Sequence, residues 1–400
     1  MRILLTTDTF YPMINGVVIS TNNLYQQLKN NGHEVKILTL SSNGEERIDG
    51  DIYYMKSIGI KVYPGARIKS FFSKKMINEL IEWKPEIIHS QTEFSTMLAS
   101  KHIARKLGIP HIHTYHTMYE DYLKYICRGK LITKGTAAKF TKLLLNNLDA
   151  VVVPTEKVRK SLTNYGVSNK LYTIPTGIEL KNLKKRITSE EKTKMRTALN
   201  IDGKKILVYV GRIAEEKNIE EVINNFASFC SISNEVALLI VGGGPYLEHL
   251  KNLVKKLGME EKIVFAGMVP PEEVYKYYQL GNAFVTASTS ETQGLTYIEA
   301  LACSLPVVCR YDDCVEGLII NGKTGYTYND EQEFIKTLEA LFSDEAVAKY
   351  MAITSEKKAE EYSCEVFGQK ISKVYFNIIS SYQYKEKNHR LLSYLKALIN

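Results

Sequence analysis

Between Ser288 and Pro306 the chain reads STSETQGLTYIEALACSLP. Glu291 and Glu299 stand eight residues apart, and Thr292, Gln293 and Gly294 lie between them. From Leu295 onward, apolar residues at Leu295, Ile298, Leu301 and Ala302 repeat at helical spacing. A helix start offers unpaired backbone N–H groups and the positive end of the dipole, which is the chemistry of a phosphate site. Carboxylates repel a diphosphate, so the glutamates suit sugar hydroxyls instead, each accepting hydrogen bonds from a ring. The same letters admit a second account: Ser290-Glu-Thr-Gln293 is also a plain capping box that needs no ligand.

Three further stretches carry residues of matching chemistry. Ile206 to Val210 reads as a strand and runs into Gly211-Arg212 and then Lys217, two cations suited to a departing diphosphate. Ala237 to Val241 runs into Gly242-Gly243-Gly244-Pro245, where backbone can approach a ligand closely. Ile263 to Ala266 runs into Gly267-Met268-Val269-Pro270. Singly, each is equally a turn beside a solvated charge; with the carboxylate pair they make one nucleotide-sugar site.

The elements that must position these residues alternate. Strand-like runs at Ile3 to Thr6, Val35 to Leu40, Glu86 to His89, His111 to Thr114, Ala150 to Val153 and Leu171 to Ile174 are separated by helical patterns. The first connection contains Gly16 but no G-x-G-x-x-G, so a dinucleotide fingerprint is absent. A second series adds strands at Ala283 to Val285 and Pro306 to Val308, and from about residue 332 the pattern is helical only. The fold class is therefore α/β, with two Rossmann-like, doubly wound domains whose strand ends are expected to meet at a cleft. The expected boundaries are 1–178 and 179–375.

Four hundred residues exceed what one core usually spans, which agrees with two domains. No apolar run approaches the ~18 residues of a membrane span, and MRILLTTDTF meets Asp8 too soon for a signal peptide, so a cytoplasmic location is expected. The six cysteines, without a Cys-x-x-Cys pair, fit reduced thiols. The net charge of +8 is unevenly placed: residues 1–178 carry +10 and the remainder −2. Residues 52–78 and 122–148 each hold six basic residues and no acid. Such one-sided fields seek an anionic surface, either lipid headgroups or nucleic acid. In RIKSFFSKKMINELIEW, Ile68, Phe71, Phe72, Met76, Leu80 and Trp83 fall near one helical face, with Arg67, Lys74 and Lys75 largely elsewhere. That predicts either an interfacial amphipathic helix over residues 66–83 or a surface helix covering its own sheet.

Taken together, Gly211-Arg212 with Lys217, GGGP, and Glu291-x7-Glu299 resemble the family 4 retaining glycosyltransferases of the GT-B fold over nearly the whole chain. IHTYHTMYEDYLKYI, LDAVVVPTEKVRKSL and IPTGIEL resemble a subgroup, the bacterial 1,2-diacylglycerol 3-glucosyltransferases that make monoglucosyldiacylglycerol. The resemblance implies transfer of a hexose, glucose above all, from a UDP-sugar to the 3-hydroxyl of diacylglycerol. It implies that Arg212 and Lys217 hold the diphosphate beside Gly211, Glu299 the ribose and Glu291 the transferred sugar, with amides near Gly294 and Leu295 assisting. Backbone at Met268 and Val269 would hold the uracil, with Gly243 in the same donor site. Gly16 would lie against phosphate or sugar, and His116 would orient sugar and acceptor, although His111 and His113 are alternatives. The last helix, about 376–400, would cross back to the first domain.

The subgroup also implies docking on an anionic membrane through Arg67, Lys69, Phe71, Phe72, Lys74 and Lys75, hence a peripheral position on the inner face of the cell membrane. Asp49-Gly-Asp51 spells a metal-binding D-x-D, but IDGDIYY reads as a hairpin turn, so no metal or other cofactor is expected and the UDP-sugar is a substrate. Other acceptors, such as an existing glycolipid, a polysaccharide or a small soluble molecule, share the donor site and remain alternatives. A non-enzymatic nucleic-acid-binding protein would explain the charge but not the carboxylates.

Overall fold

The computed structural model describes residues 1–13, 15–59, 67–69, 74–116 and 134–399. The chain divides into two compact units, Met1–Gly177 with Cys364–Asn400, and Ile178–Ser363. The chain thus returns to the first unit at Cys364, a little earlier than the helical tail alone suggested.

The first unit contains β1 (Arg2–Thr7), β2 (Glu34–Leu40), β3 (Arg47–Asp49), β4 (Ile52–Met55), β5 (Ser57–Gly59), β6 (Arg67–Lys69), β7 (Ile87–Ser90), β8 (His111–Thr114), β9 (Ala150–Val153) and β10 (Leu171–Thr173). Eight of them form one sheet in the order β10-β9-β8-β7-β1-β2-β4-β3, while β5 and β6 pair separately. Only β3 and β4 run antiparallel in the large sheet, through the turn at Gly50-Asp51. Side chains alternate across β1, so Ile3 and Leu5 enter one core and Leu4 the other. The first core is covered by the helices Gly16–Asn30 and Cys364–Ile399, through Leu24, Leu28, Ile371 and Tyr375. Burial on both faces is what a parallel sheet requires, and it explains the short continuous apolar strands.

The second unit holds β11 (Lys205–Val210), β12 (Val236–Val241), β13 (Ile263–Gly267), β14 (Ala283–Thr286), β15 (Val307–Arg310) and β16 (Gly325–Tyr328), all parallel, in the order β13-β12-β11-β14-β15-β16. The last strand was not expected from the pattern. All six residues of β12 are buried, as its place inside the sheet demands. The chain reverses its direction of travel across this sheet between β11 and β14, and across the larger sheet between β1 and β7. Ligands of such sheets bind outside the carboxyl ends of the strands at those reversals.

A single helix over residues 66–83 is not what forms. Arg67–Lys69 is strand β6, paired with β5, and the helix runs Lys74–Glu82. Its apolar side chains Met76, Ile77 and Leu80 are 2%, 4% and 0% exposed in the unit's own core, and Trp83 packs beside them. Withdrawing each from that core would cost about 1.5 to 3 kcal/mol, so this apolar face belongs to the domain and not to a bilayer. Lys74 and Lys75 remain exposed at the helix start. Phe71 and Phe72 lie outside the described residues. Among the described residues, no helix is long and apolar enough to cross a membrane.

Candidate active site

In the second unit the reversal between β11 and β14 is where charge collects. β11 ends at Val210 and passes through Gly211 to Arg212, and a 3-10 turn, Glu215–Lys217, brings Lys217 round. β14 ends at Thr286 and passes through Ser288 to Glu291. Lys217 Nζ lies 2.6 Å from Glu291 Oε1, which also accepts from Ser288 Oγ at 2.7 Å. Arg212 is paired with Glu216, and Ser290 Oγ donates to the Glu216 carbonyl at 3.1 Å. The Lys217 and Glu291 side chains are 21% and 18% exposed, shielded enough for the pair to interact more strongly than a surface bridge. The Tyr209 hydroxyl donates to the Arg212 carbonyl at 3.1 Å; burial, then the Glu291 and Glu216 charges, push its pKa up and keep it a donor. Two cations are thus held in place by two carboxylates, and an entering diphosphate must compete for them.

Gly294 settles the nature of the helix that follows. It is the N-cap of Leu295–Ala302 with φ of 72°, and a Cβ there would sit 2.2 Å from the Tyr297 ring. As a glycine, the N-cap residue gives no side-chain bond, and Ser290 Oγ is turned to the Glu216 carbonyl, so the capping box spelled by Ser290 to Gln293 does not form; Tyr297 N donates to the Gly294 carbonyl at 3.1 Å. About one turn on, Glu299 Oε2 accepts from Tyr278 OH at 2.9 Å. Burial raises the Glu299 pKa and the tyrosine bond opposes the rise.

The glycines after β12 allow a close approach of backbone to backbone. A Cβ on Gly242 would stand 1.9 Å from the Gly211 carbonyl oxygen, and Ile213 N donates to the Gly243 carbonyl at 2.9 Å. The run therefore lets two loops close against each other to make the floor of the site. Met268 stands 85% exposed beside Gly243, with Val269 next to it.

The reversal in the first unit is built mainly from histidines and hydroxyls, with two buried carboxylates, Asp8 and Glu93. The Asp8 carboxylate, at the end of β1, accepts from Thr96 N (2.9 Å), Phe94 N (3.2 Å) and Thr92 Oγ1 (2.7 Å), and so closes the start of the helix Ser95–Leu107. Burial raises the Asp8 pKa against those three bonds. His89 sits between Tyr375 OH at 2.7 Å and Thr114 Oγ1 at 2.6 Å. His113 sits between Glu93 Oε1 at 3.2 Å and Ser90 Oγ at 3.0 Å, and the same serine meets His111 Nε2 at 2.9 Å. His116 Nε2 meets Gln91 Oε1 at 2.9 Å. Of these four histidines only His116 is not fully buried, which favours it over His111 and His113 for contact with a ligand. Gly16 heads the helix capped by Asn15, and a Cβ there would meet nothing within 4 Å.

Two family descriptions match the chain, Glycosyltransferase Family 4 over residues 14–182 and Glycosyl transferases group 1 over residues 191–360. An alpha-monoglucosyldiacylglycerol synthase of Streptococcus pneumoniae is 36% identical over 390 residues, which cover 96% of this chain and 88% of the synthase. The synthase of the same name from Acholeplasma laidlawii is 31% identical, over 98% of this chain and all of that protein (100%). The chain belongs to the family 4 glycosyltransferases. Its fold is shared with solved structures: Anabaena HepE in complex with UDP superposes with a TM-score of 0.74 at 15% identity, over 94% of this chain and 99% of that one. Sucrose-phosphate synthase of Thermosynechococcus elongatus gives 0.71 at 19% identity, over 95% and 99%.

Within this glycosyltransferase, Arg212, Lys217 and Glu291 come together, while Glu299 lies on the next helix turns with its own partner, Tyr278. Glu216, Ser288 and Gln91 were missed. Glu216 was within reach of inspection, since it stands four residues after Arg212; Gln91 was not, because its partner is 25 residues away on another strand end.

Proposed function

We propose that this chain transfers a glucosyl group from UDP-glucose to the 3-hydroxyl of 1,2-diacylglycerol, with retention of the α configuration, at an anionic membrane surface on the cytoplasmic side. The 36% identity to the pneumococcal alpha-monoglucosyldiacylglycerol synthase, over nearly the full length of both chains, carries this reading. The electrostatics at the β11/β14 reversal support it. Departure of UDP builds negative charge on the β-phosphate, and Arg212, Lys217 and the helix start at Leu295 are the groups that stabilise it. Glu291 then turns from Lys217 to the sugar hydroxyls, and Glu299 Oε1 accepts from the ribose. No carboxylate is assigned as a nucleophile, so the acceptor hydroxyl attacks from the face that UDP leaves. His116 orients that hydroxyl. The two cations do the work of a metal ion, so turnover is metal-independent.

Arg67 and Lys69 on β6, with Lys74 and Lys75 at the next helix start, supply the membrane contact, each worth about 1 kcal/mol near an anionic leaflet. Turnover measured with UDP-glucose and UDP-galactose against diacylglycerol and monoglucosyldiacylglycerol, on vesicles with and without anionic lipid, tests the whole proposal. UDP-glucose with diacylglycerol on anionic vesicles should be fastest. Preference for monoglucosyldiacylglycerol would overturn the acceptor, and preference for UDP-galactose the donor. If replacing the four basic residues by Ser left vesicle binding at the parental level, the membrane face would lie elsewhere.

A further inference from the structure

Gln91 is an expensive residue where it stands. Its side chain is 1% exposed, its Oε1 is engaged by His116, and its Nε2 has no hydrogen-bond partner. A buried amide N–H without an acceptor opposes folding, and a leucine or methionine of similar volume would fill the space without that penalty. The backbone holds the residue in register: Gln91 N donates to the Thr6 carbonyl at 2.8 Å, tying the end of β7 to β1. What the carboxamide contributes in return is its contact with one imidazole, at the strand-end reversal where a substrate binds.

A carbonyl oxygen only accepts, so the proton of that contact is on His116 Nε2. The other ring nitrogen, Nδ1, has no partner among the described residues. Burial, and after it the charge of His113, holds the His116 pKa down to about 3, so the ring stays neutral at physiological pH and Nδ1 carries a lone pair. The groups around it are His113 from β8, Glu93 from the loop after β7, and His89 from β7; Glu93 is occupied by His113. Gln91 is the group that decides which way the His116 ring faces and which nitrogen is bare.

We propose that Gln91 is a positioning residue for the transfer reaction: its carboxamide oxygen fixes His116 as the Nε2–H tautomer and leaves Nδ1 as the acceptor for a substrate hydroxyl hydrogen. This rests on the placement of His116 at the reaction centre. The Nδ1 lone pair orients the hydroxyl, which keeps its proton until its oxygen bonds to the anomeric carbon; as the bond from that carbon to the β-phosphate oxygen breaks, the proton passes to that departing phosphate oxygen and leaves with UDP. The same contact explains how a histidine serves as a pure acceptor without becoming an imidazolium.

Four measurements test it. In the parent protein, the nitrogen-15 shifts of His116 should show Nε2 protonated and Nδ1 bare; a proton on Nδ1 overturns the proposal without any variant. Gln91→Met, which keeps the volume and removes the acceptor, should lower kcat tenfold or more while UDP affinity and the KM for UDP-glucose stay within about twofold and the thermal midpoint holds or rises. Gln91→Glu restores an acceptor but also stabilises the imidazolium, so activity should return towards the parental level at alkaline pH and fall off at acid pH, with the acid limb of kcat at least one pH unit above the parent's. Parental turnover in Gln91→Met, or a loss in Gln91→Glu that no pH restores, overturns the role of Gln91. His116→Ala separates the two levels: if it retains parental turnover, the placement of His116 itself fails, whereas an inactive His116→Ala beside a fully active Gln91→Met removes only Gln91.

Discussion

In the first unit, a buried carboxylate binds the start of the helix beside the sheet's reversal; in the second, the cap residue is a glycine with no side chain. Asp8 spends its carboxylate on Thr96 N and Phe94 N, leaving the start of Ser95–Leu107 closed to any anion. Gly294, the cap residue of Leu295–Ala302, has no side chain to offer. The remaining groups follow the same division. The second reversal gathers Arg212, Lys217, Glu216 and Glu291, two cations among two carboxylates, while the first gathers His89, His111, His113 and His116 among serine and threonine hydroxyls, with Asp8 and Glu93 as its carboxylates. One α/β construction therefore yields two kinds of site, one suited to a diphosphate and one to hydroxyl groups. The difference lies in a few residues at strand ends and not in the sheets.

The comparison breaks most easily at Lys217. If the second site acts on charge that develops during departure of UDP, Lys217→Ala should lower kcat by about 10²- to 10³-fold, the range for loss of one fixed donor, and should weaken UDP binding far less. Equal losses in kcat and UDP affinity would mean that Lys217 holds the ground state as firmly as the transition state. Glu299→Gln offers the complementary pattern. A neutral amide beside the ribose should weaken UDP by about tenfold, the worth of a charge-assisted bond, with kcat at saturating donor little changed. Unchanged UDP affinity would remove Glu299 from the donor site.

The neutral character of the first site has its own consequence in acid. Burial lowers the pKa of His89 and takes those of His111 and His116 down to about 3. In the unfolded chain each returns to about 6.5. Between those values the unfolded state binds more protons, so stability is intact above pH 6.5 and falls as pH drops, by up to about 1.4 kcal/mol per pH unit for each ring. Asp8 acts in the opposite sense, since its raised pKa makes the folded state hold its proton more tightly, but it is one group against three. Hydrogen exchange followed from pH 7 to pH 5 should therefore show the strands of the first unit, β7 and β8 above all, losing protection before β11 and β12. Loss from the second unit first would reverse the assignment of charge and neutrality.

How much of this was legible in the letters depended on the range of the contacts. Runs such as Val236 to Val241 announce a buried parallel strand because every position is apolar. Local patterns misled where a tertiary partner intervened. Ser290 to Gln293 spells a capping box, yet Ser290 bonds the Glu216 carbonyl and Gly294 becomes the cap. Residues 66–83 have helical periodicity, yet Arg67–Lys69 finds a strand partner in Ser57–Gly59, and that pairing outweighs the local preference. The Gln91–His116 contact has no local signature at all, since two adjacent strand ends bring it about.

The smallest effect is expected at Asp49 and Asp51, where the letters D-x-D hint at a metal and so at charge chemistry in the first unit. Asp49 faces Ile52 across the β3/β4 turn, on the edge of the sheet, whereas the reversal lies between β1 and β7. Asp51 accepts from Tyr25 OH at 2.9 Å and from Lys29 Nζ at 2.5 Å, and the lysine bond lowers its pKa. Both partners lie on the helix Gly16–Asn30, so the carboxylate ties a turn to a helix and has been drawn away from any shared ion. Among the described residues, no group of three or more histidine, cysteine or acidic side chains is arranged to hold a metal. Replacing both aspartates by Ala should therefore lower the thermal midpoint slightly and leave kcat and KM unchanged, and EDTA should change neither parent nor variant. The two arms answer different questions. Inhibition by EDTA in both proteins would place a metal elsewhere in the reaction. Inhibition in the parent, with the double variant already inactive and neither restored without Mg²⁺ or Mn²⁺, would put charge chemistry at the edge of the first sheet and end the contrast between a neutral site and a charged one.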